Sequence, residues 1–178
     1  VGAGLAGSEA AYFLAEHGIS VVLSEMRPLK QTPAHETDNF AELVCSNSFK
    51  STASHSVSGM LKFEMQQMGS LILKCAYETA VPGGGALAVD RALFSAKVTE
   101  TLRTHPKIEV RVEEVSSPLD SEFELTLIAT GPLTSTALYG WIAQNTGSED
   151  LYFYDAIAPI VDASSVDREV SFLANRYD

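Results

Sequence analysis

Apolar and polar positions change period several times along the chain, and each change marks an element. Residues 5–17 are rich in alanine with Leu5, Tyr12, Phe13 and Leu14, which predicts a helix closed by Gly18 as a C′-type glycine. Ile19 to Glu25 is β-branched and reads as a strand ending in an acid. Residues 26–39 carry Pro28 and Pro33 and show little period, so a long loop is expected. Phe40 to Ser48 is a short apolar run ending in small polar residues, and 51–58 again reads as loop. From Gly59 to Glu78, Leu61, Met65, Met68, Ile72 and Cys75 recur at helical steps, predicting one helix with one buried stripe. On that stripe the methionines read as core filler and Cys75 as buried and inert.

Gly83, Gly84 and Gly85 precede a short apolar strand, Ala86 to Val89. Asp90 reads as the N-cap of a helix that carries Leu93, Phe94, Val98 and Leu102 on one face and is over by Pro106. Ile108, Val110 and Val112 alternate with charges, as in a half-exposed strand, while Phe123 to Ala129 is continuous enough for a strand buried on both faces. Thr134 or Ser135 caps a further helix through Trp141 and Ile142 that stops near Gly147, and Tyr152 to Val161 is aromatic and then strand-like. This order predicts an α/β fold, a mostly parallel sheet flanked by helices, with ligands at the carboxyl ends of its strands. Gly2 to Gly7, Glu25 and Ala129-Thr130-Gly131 all stand at such ends. With only Val1 ahead of the first turn and no stop signal at Asp178, the chain reads as an excerpt truncated at both ends.

Gly2-Ala3-Gly4-Leu5-Ala6-Gly7 matches the G-x-G-x-x-G fingerprint. Gly2 permits the turn out of a strand, Gly4 lets backbone approach a pyrophosphate, and Gly7 lets helix pack on strand. The helix N-terminus then offers free N–H groups and partial positive charge. Glu25 follows about twenty residues later, where a ribose-binding carboxylate belongs. No Gly-Lys-Ser/Thr follows, so the turn is not a P-loop. A glycine-cornered βαβ unit without a ligand is the plainer alternative.

Composition narrows the classes. Apolar content is 46% and mean hydropathy +0.06, ordinary for a soluble globular domain, and no apolar run reaches membrane-span length. The net charge of −11 argues against nucleic-acid binding by this segment alone, since such surfaces are normally basic. Two cysteines, Cys45 and Cys75, make neither a disulfide framework nor a metal site, and the expected setting is reducing and cytoplasmic. His35 and His55 lack metal-pair spacing, so no metal is expected. Cys45, followed by the hydrogen-bonding Ser46, Asn47 and Ser48, is either an activated nucleophile or a packed structural cysteine. Arg91 reads as a surface or phosphate-facing arginine.

The motifs together resemble one family, the folate- and FAD-dependent tRNA (uracil-5-)-methyltransferases (TrmFO), over essentially the whole chain as the N-terminal portion. The carrying stretches are Gly2 to Ala10, Glu25-Met26-Arg27-Pro28, Thr32 to His35 with Thr37-Asp38, and Phe40 to Ser48. Gly84 to Arg91, Ala129 to Ser135 and Tyr152 to Asp155 complete the set, with a looser match near Asp178; Gly83 departs, standing where alanine is expected. The resemblance implies a GR2-type, Rossmann-like FAD-binding domain over 1–147 and the start of an inserted substrate region over 148–178. It implies FAD held by Gly2, Ala3, Gly4, Leu5, Ala6 and Gly7, by Glu25, Met26 and Arg27, by Gly84 and Gly85 near the isoalloxazine, and by Ala129, Thr130 and Gly131. It further implies 5,10-methylenetetrahydrofolate as methylene donor, NAD(P)H as reductant and a tRNA T-loop uridine as acceptor. Cys45 lies inside the matching motif and takes the catalytic role.

Three other readings remain at this stage. The related GidA-type tRNA wobble-uridine modifier shares the fold and fingerprint, but tends to carry histidine where Leu5 stands. A truncated, non-catalytic FAD-binding module and a generic NAD(P)-dependent oxidoreductase are the others. The family's chain continues well past Asp178, so these 178 residues alone are expected to be inactive.

Overall fold

The computed structural model describes residues 1–118, 123–147 and 163–171. The expected strand at Tyr152 to Val161, the loosely matching terminus and the proposed boundary at 148 lie outside them. Helix α1 (Leu5–Glu16) leaves the glycine turn, ends at His17 and Gly18 (φ +86°), and leads into strand β1 (Val21–Glu25). β1 pairs in parallel with β5 (Ile108–Val112), Val21 opposite Ile108 and Glu25 opposite Val112. On the other side of β1 lies Val1. Gly2 N donates to Ser24 O at 2.8 Å, and Ala129 N donates to Val1 O at 2.8 Å. Backbone order across this layer is therefore β5, β1, Val1, then 127–129. Sequence order reverses beside Val1, and that reversal creates the crevice at which such sheets bind ligands.

Of a second layer, only the strand at Ala86 to Val89 was legible in the sequence. Strands β2 (Ser48–Ser51), β3 (Ala80–Val81) and β4 (Ala86–Val89) form an antiparallel sheet in the order β2-β4-β3. β2 reads Ser-Phe-Lys-Ser, with no strand propensity beyond Phe49; pairing with β4 makes it a strand. Helix α4 (Arg91–Thr104) is capped as expected, with the Asp90 carboxylate accepting from Ala92 N and Leu93 N, both at 3.0 Å. Helix α5 (Thr136–Thr146) is capped by Ser135 and closed by Gly147 at φ +68°.

Two expectations are corrected. The single helix over 59–78 is two helices, α2 (Val57–Gln67) and α3 (Leu71–Glu78). Gly69 takes φ +76° and Ser70 caps α3 through Leu73 N, so a stop and a start signal stand back to back. The supposed stripe is broken with them: Leu61 and Met68 are exposed, whereas Ile72 and Cys75 are buried. Cys75 is indeed inert in setting, since burial pushes its thiol up to about 11. Second, Phe123 to Ala129 is not buried on both faces. Leu125 is 85% exposed, and the pairing with Val1 engages only the carboxyl end of this segment.

The core lies between α1, α3, α4 and the two sheets, around Leu23, Phe40, Leu71, Phe94, Val98 and Leu102. Glu9 ties α1 to α3: its carboxylate accepts from Ser70 Oγ and Ile72 N, both at 2.9 Å, and from Leu71 N at 3.2 Å. An acid so placed satisfies orphan donors and complements the helix dipole. Glu9→Ala is expected to destabilise the protein by about 1–2 kcal/mol, read as a lower thermal midpoint. An unchanged midpoint would deny the carboxylate that role.

Candidate active site at the glycine turn

A cavity of about 500 Å³ opens at the reversal point. Gly2, Gly4, Leu5 and Ala6 line it from the turn, Glu25, Met26 and Arg27 from the end of β1, and Ala129, Thr130 and Gly131 from across the crevice. Ten of the expected cofactor residues therefore meet in one place. The glycines divide the work as the fingerprint demands. A Cβ on Gly7 would stand 1.8 Å from Gly2 O, so only glycine lets α1 sit against the turn. Gly2 takes φ +95° and lies against Ala129 O, where a Cβ would come to 2.8 Å. A Cβ on Gly4 would meet no protein atom within 4 Å, so this position faces open space in the cavity. No side chain caps α1, and its first turn carries no acid. Free N–H groups and unopposed dipole charge at an open glycine fit a diphosphate.

Ala3 and Gly7 are not in the lining. Ala3 is fully buried behind the turn and serves as its anchor. Its N–H donates to Glu25 Oε2 at 2.9 Å, and its carbonyl accepts from Ala41 N at 2.8 Å and Ser8 Oγ at 3.1 Å. Glu25 is held on its other oxygen by Arg27, whose backbone N and Nε approach Oε1 at 3.1 and 2.9 Å. Burial alone would raise the Glu25 carboxyl; the Arg27 side chain and the Ala3 N–H outweigh it and hold it below the usual carboxylate range.

Arg27 lines the cavity, yet its guanidinium is 2% exposed and bridges inward to Glu25, Thr37 O and Glu42. The sequence marked Arg27 but missed Glu42, whose carboxylate also collects Glu36 N, Thr37 N and Thr37 Oγ1. Its only signal was a carboxylate inside the Phe40–Ser48 motif. The triad pins the 32–42 loop onto β1. Arg27→Met would leave the buried Glu25 and the half-buried Glu42 carboxylates without their cation and is expected to cost about 3 kcal/mol. Because the folded pKa of Glu25 is depressed, this difference from the native protein is full above the ordinary value of 4.5 and closes as pH falls below it. Denaturation midpoints at pH 7 and pH 4 check both claims; an equal loss at both would contradict the ion-pair account.

Thr32, His35, Glu42 and Val44 line the cavity from the loop side, and Glu113 to Val115 and Pro132 to Ser135 line it elsewhere. Cys45, one residue beyond Val44, is exposed and not part of the lining; neither are Gly84 and Gly85, which form the turn between β3 and β4. Asn47 Nδ2 donates to Val89 O at 3.1 Å, while Ser46 and Ser48 hydroxyls accept from Ser48 N and Lys50 N. These neighbours thus brace the β2 turn rather than the thiol. Arg91 reaches Leu43 O at 3.3 Å, on the same segment. A thiol reagent is expected to modify Cys45 and spare Cys75 in the native protein, as peptide mass mapping would show; labelling of Cys75 at a similar rate would contradict its burial.

The family described as glucose inhibited division protein A matches residues 1–178. The chain belongs to this family. Among curated relatives, the methylenetetrahydrofolate–tRNA-(uracil-5-)-methyltransferase TrmFO of Staphylococcus saprophyticus is 56% identical over 178 residues, covering all of this chain and 40% of that protein. TrmFO of Lactobacillus gasseri is 56% identical over 179 residues, and that of Bacillus cytotoxicus 53% over 178, with the same coverage. The chain thus spans 40% of the length of the curated relatives it matches. The α/β, Rossmann-like fold read from the motifs is the fold observed, and the resemblance to TrmFO stands. Among the described residues no helix is long and apolar enough to cross a membrane.

Proposed function

We propose that the whole protein is a cytoplasmic, FAD- and folate-dependent tRNA uracil-5-methyltransferase, and that residues 1–147 are the dinucleotide-binding part of its FAD domain, with 148–178 beginning the substrate region. The open Gly4 facing a cavity beside the buried, ionised Glu25 carries the reading: a diphosphate seat and a ribose seat in one crevice. Relatives 56% identical along the full chain supply the substrate class. Bound FAD, reduced by NAD(P)H, would supply transfer of the methylene group from 5,10-methylenetetrahydrofolate and the hydride that completes a methyl group.

The chain's own residues do the rest. Gly2 to Gly7 and the first turn of α1 hold the pyrophosphate, Glu25 the adenosine ribose, and Ala129 to Gly131 the opposite wall. Met26 flanks the ribose seat, and Gly84 and Gly85 leave backbone free of side chains where the isoalloxazine would approach. Cys45 adds to carbon 6 of a T-loop uridine turned out of its stack, making carbon 5 nucleophilic. A basic tRNA surface belongs to the rest of the protein, since this portion carries −11.

The test is the absorption spectrum of the whole purified protein and its uptake of FAD. A flavin spectrum lost in a Gly4→Ala variant supports the site. A protein that takes up NAD but no flavin would favour the nicotinamide oxidoreductase instead.

A further inference from the structure

The cavity wall carries the imidazole of His35, to which the reading above gives no task. We infer that His35 is the second ligand of the adenosine ribose, its Nε2–H donating to one ribose hydroxyl oxygen while Glu25 accepts from the other, and that the pair selects a ribose without a 2′-phosphate. This rests on the dinucleotide reading of the cavity.

Most of the lone pairs of Glu25 are already engaged. Oε1 already accepts from Arg27 N and Arg27 Nε, and Oε2 accepts from Ala3 N. One acceptor direction is left, on Oε2, enough for one hydroxyl of a vicinal diol and not for both. Glu42 is occupied by the loop, and Arg27 gives its Nε to Glu25 and its Nη1 to Thr37 O and Glu42. The second hydroxyl needs a partner from elsewhere on this wall.

His35 lines the same cavity. Its Nδ1 is 2.6 Å from Thr32 Oγ1, and that oxygen already accepts from His35 N at 3.2 Å and Ala34 N at 3.4 Å. With both lone pairs of the hydroxyl engaged, its proton goes to Nδ1, which therefore accepts. In the neutral ring the proton is then on Nε2, which makes no hydrogen bond to another described residue. Burial, with the charge of Arg27, holds the ring's pKa below its ordinary value against the opposing pull of Glu42 and Glu25, so it is neutral at pH 7. A neutral N–H suits a hydroxyl oxygen. It offers no charge to a 2′-phosphate, which the Glu25 carboxylate would repel.

The experiment uses the full-length protein freed of flavin, titrated calorimetrically with ADP, 2′-deoxy-ADP, 3′-deoxy-ADP and adenosine 2′,5′-bisphosphate. The native protein is expected to lose roughly 10-fold on removal of the hydroxyl that His35 holds, and more than that with the 2′-phosphate. H35A should lose roughly the same factor with ADP and show no further penalty for that hydroxyl. H35Q, which keeps an N–H donor, should restore most of both. If H35A binds ADP like the native protein, or binds it more weakly while keeping both deoxy penalties, His35 only packs the loop and the inference fails. If the native protein binds no ADP, the dinucleotide reading fails with it; ADP binding that is indifferent to H35A overturns His35 alone.

Discussion

Gly7→Ala is expected to collapse the fold around the first turn, while Gly4→Ala, three residues away, is expected to leave the fold intact and remove the flavin. The two substitutions add the same methyl group and meet opposite surroundings. At Gly7 the new carbon would stand 1.8 Å from Gly2 O, a backbone atom fixed by the bond from Gly2 N to Ser24 O. Neither side can yield without lifting α1 off β1, so the cost is on the order of 3 kcal/mol or more, at the top of the range for overpacking. That is a large fraction of a typical domain's stability. At Gly4 the backbone has φ −71°, which alanine adopts freely, and nothing within 4 Å opposes a Cβ. The methyl group instead enters the space where a phosphate would sit. Losing one or two charge-assisted hydrogen bonds weakens FAD binding on the order of 100-fold. Thermal midpoints and flavin absorbance of both variants check the pair. Equal stability of the two proteins, or a flavin-replete Gly4→Ala, would contradict the assignment of roles to the fingerprint glycines.

Cys45→Ala is expected to abolish methyl transfer, by a factor on the order of 10³ or more, with flavin content unchanged. Carbon 5 of uracil is a poor nucleophile until something adds at carbon 6, so a site for this chemistry needs an accessible thiol. The two cysteines of this chain differ in access. Cys45 is exposed beside Val44, which lines the cavity, whereas Cys75 is 1% exposed with its thiol pushed to about 11. Cys75→Ser should therefore show the reverse pattern, reduced stability with turnover preserved once folded. Methylation of tRNA by Cys45→Ala at the native rate, or loss of flavin from it, would remove the cysteine from the proposed chemistry.

What the sequence made legible was local. Gly2 to Gly7, the stop at Gly18, the strand to Glu25 and the caps at Asp90 and Ser135 each write their structure within a few residues. Four of the ten expected cofactor residues that meet in the cavity, Gly2, Gly4, Leu5 and Ala6, come from a motif that carries its own geometry. What stayed hidden was made by distant partners. Glu42 meets Arg27 across fifteen positions of aperiodic loop, and Glu9 caps a helix sixty residues away. β2 exists through its ladder with β4 and not through its own composition. The break at Gly69-Ser70 was written in the sequence, but an apolar period running through it masked the two punctuating residues. Cys45 was marked by its motif alone; the structure adds exposure and nearness to the cavity wall, and shows its polar neighbours engaged elsewhere.

The most direct test of the central claim follows one carbon. The whole protein would be incubated with unmodified tRNA, NADPH and 5,10-methylenetetrahydrofolate labelled in its methylene group, and the tRNA digested to nucleosides. The account predicts label in 5-methyluridine from the T-loop, present with the native protein and absent with Cys45→Ala. A flavin-bearing native protein that leaves the T-loop uridine unlabelled would contradict it and point to modification of another uridine.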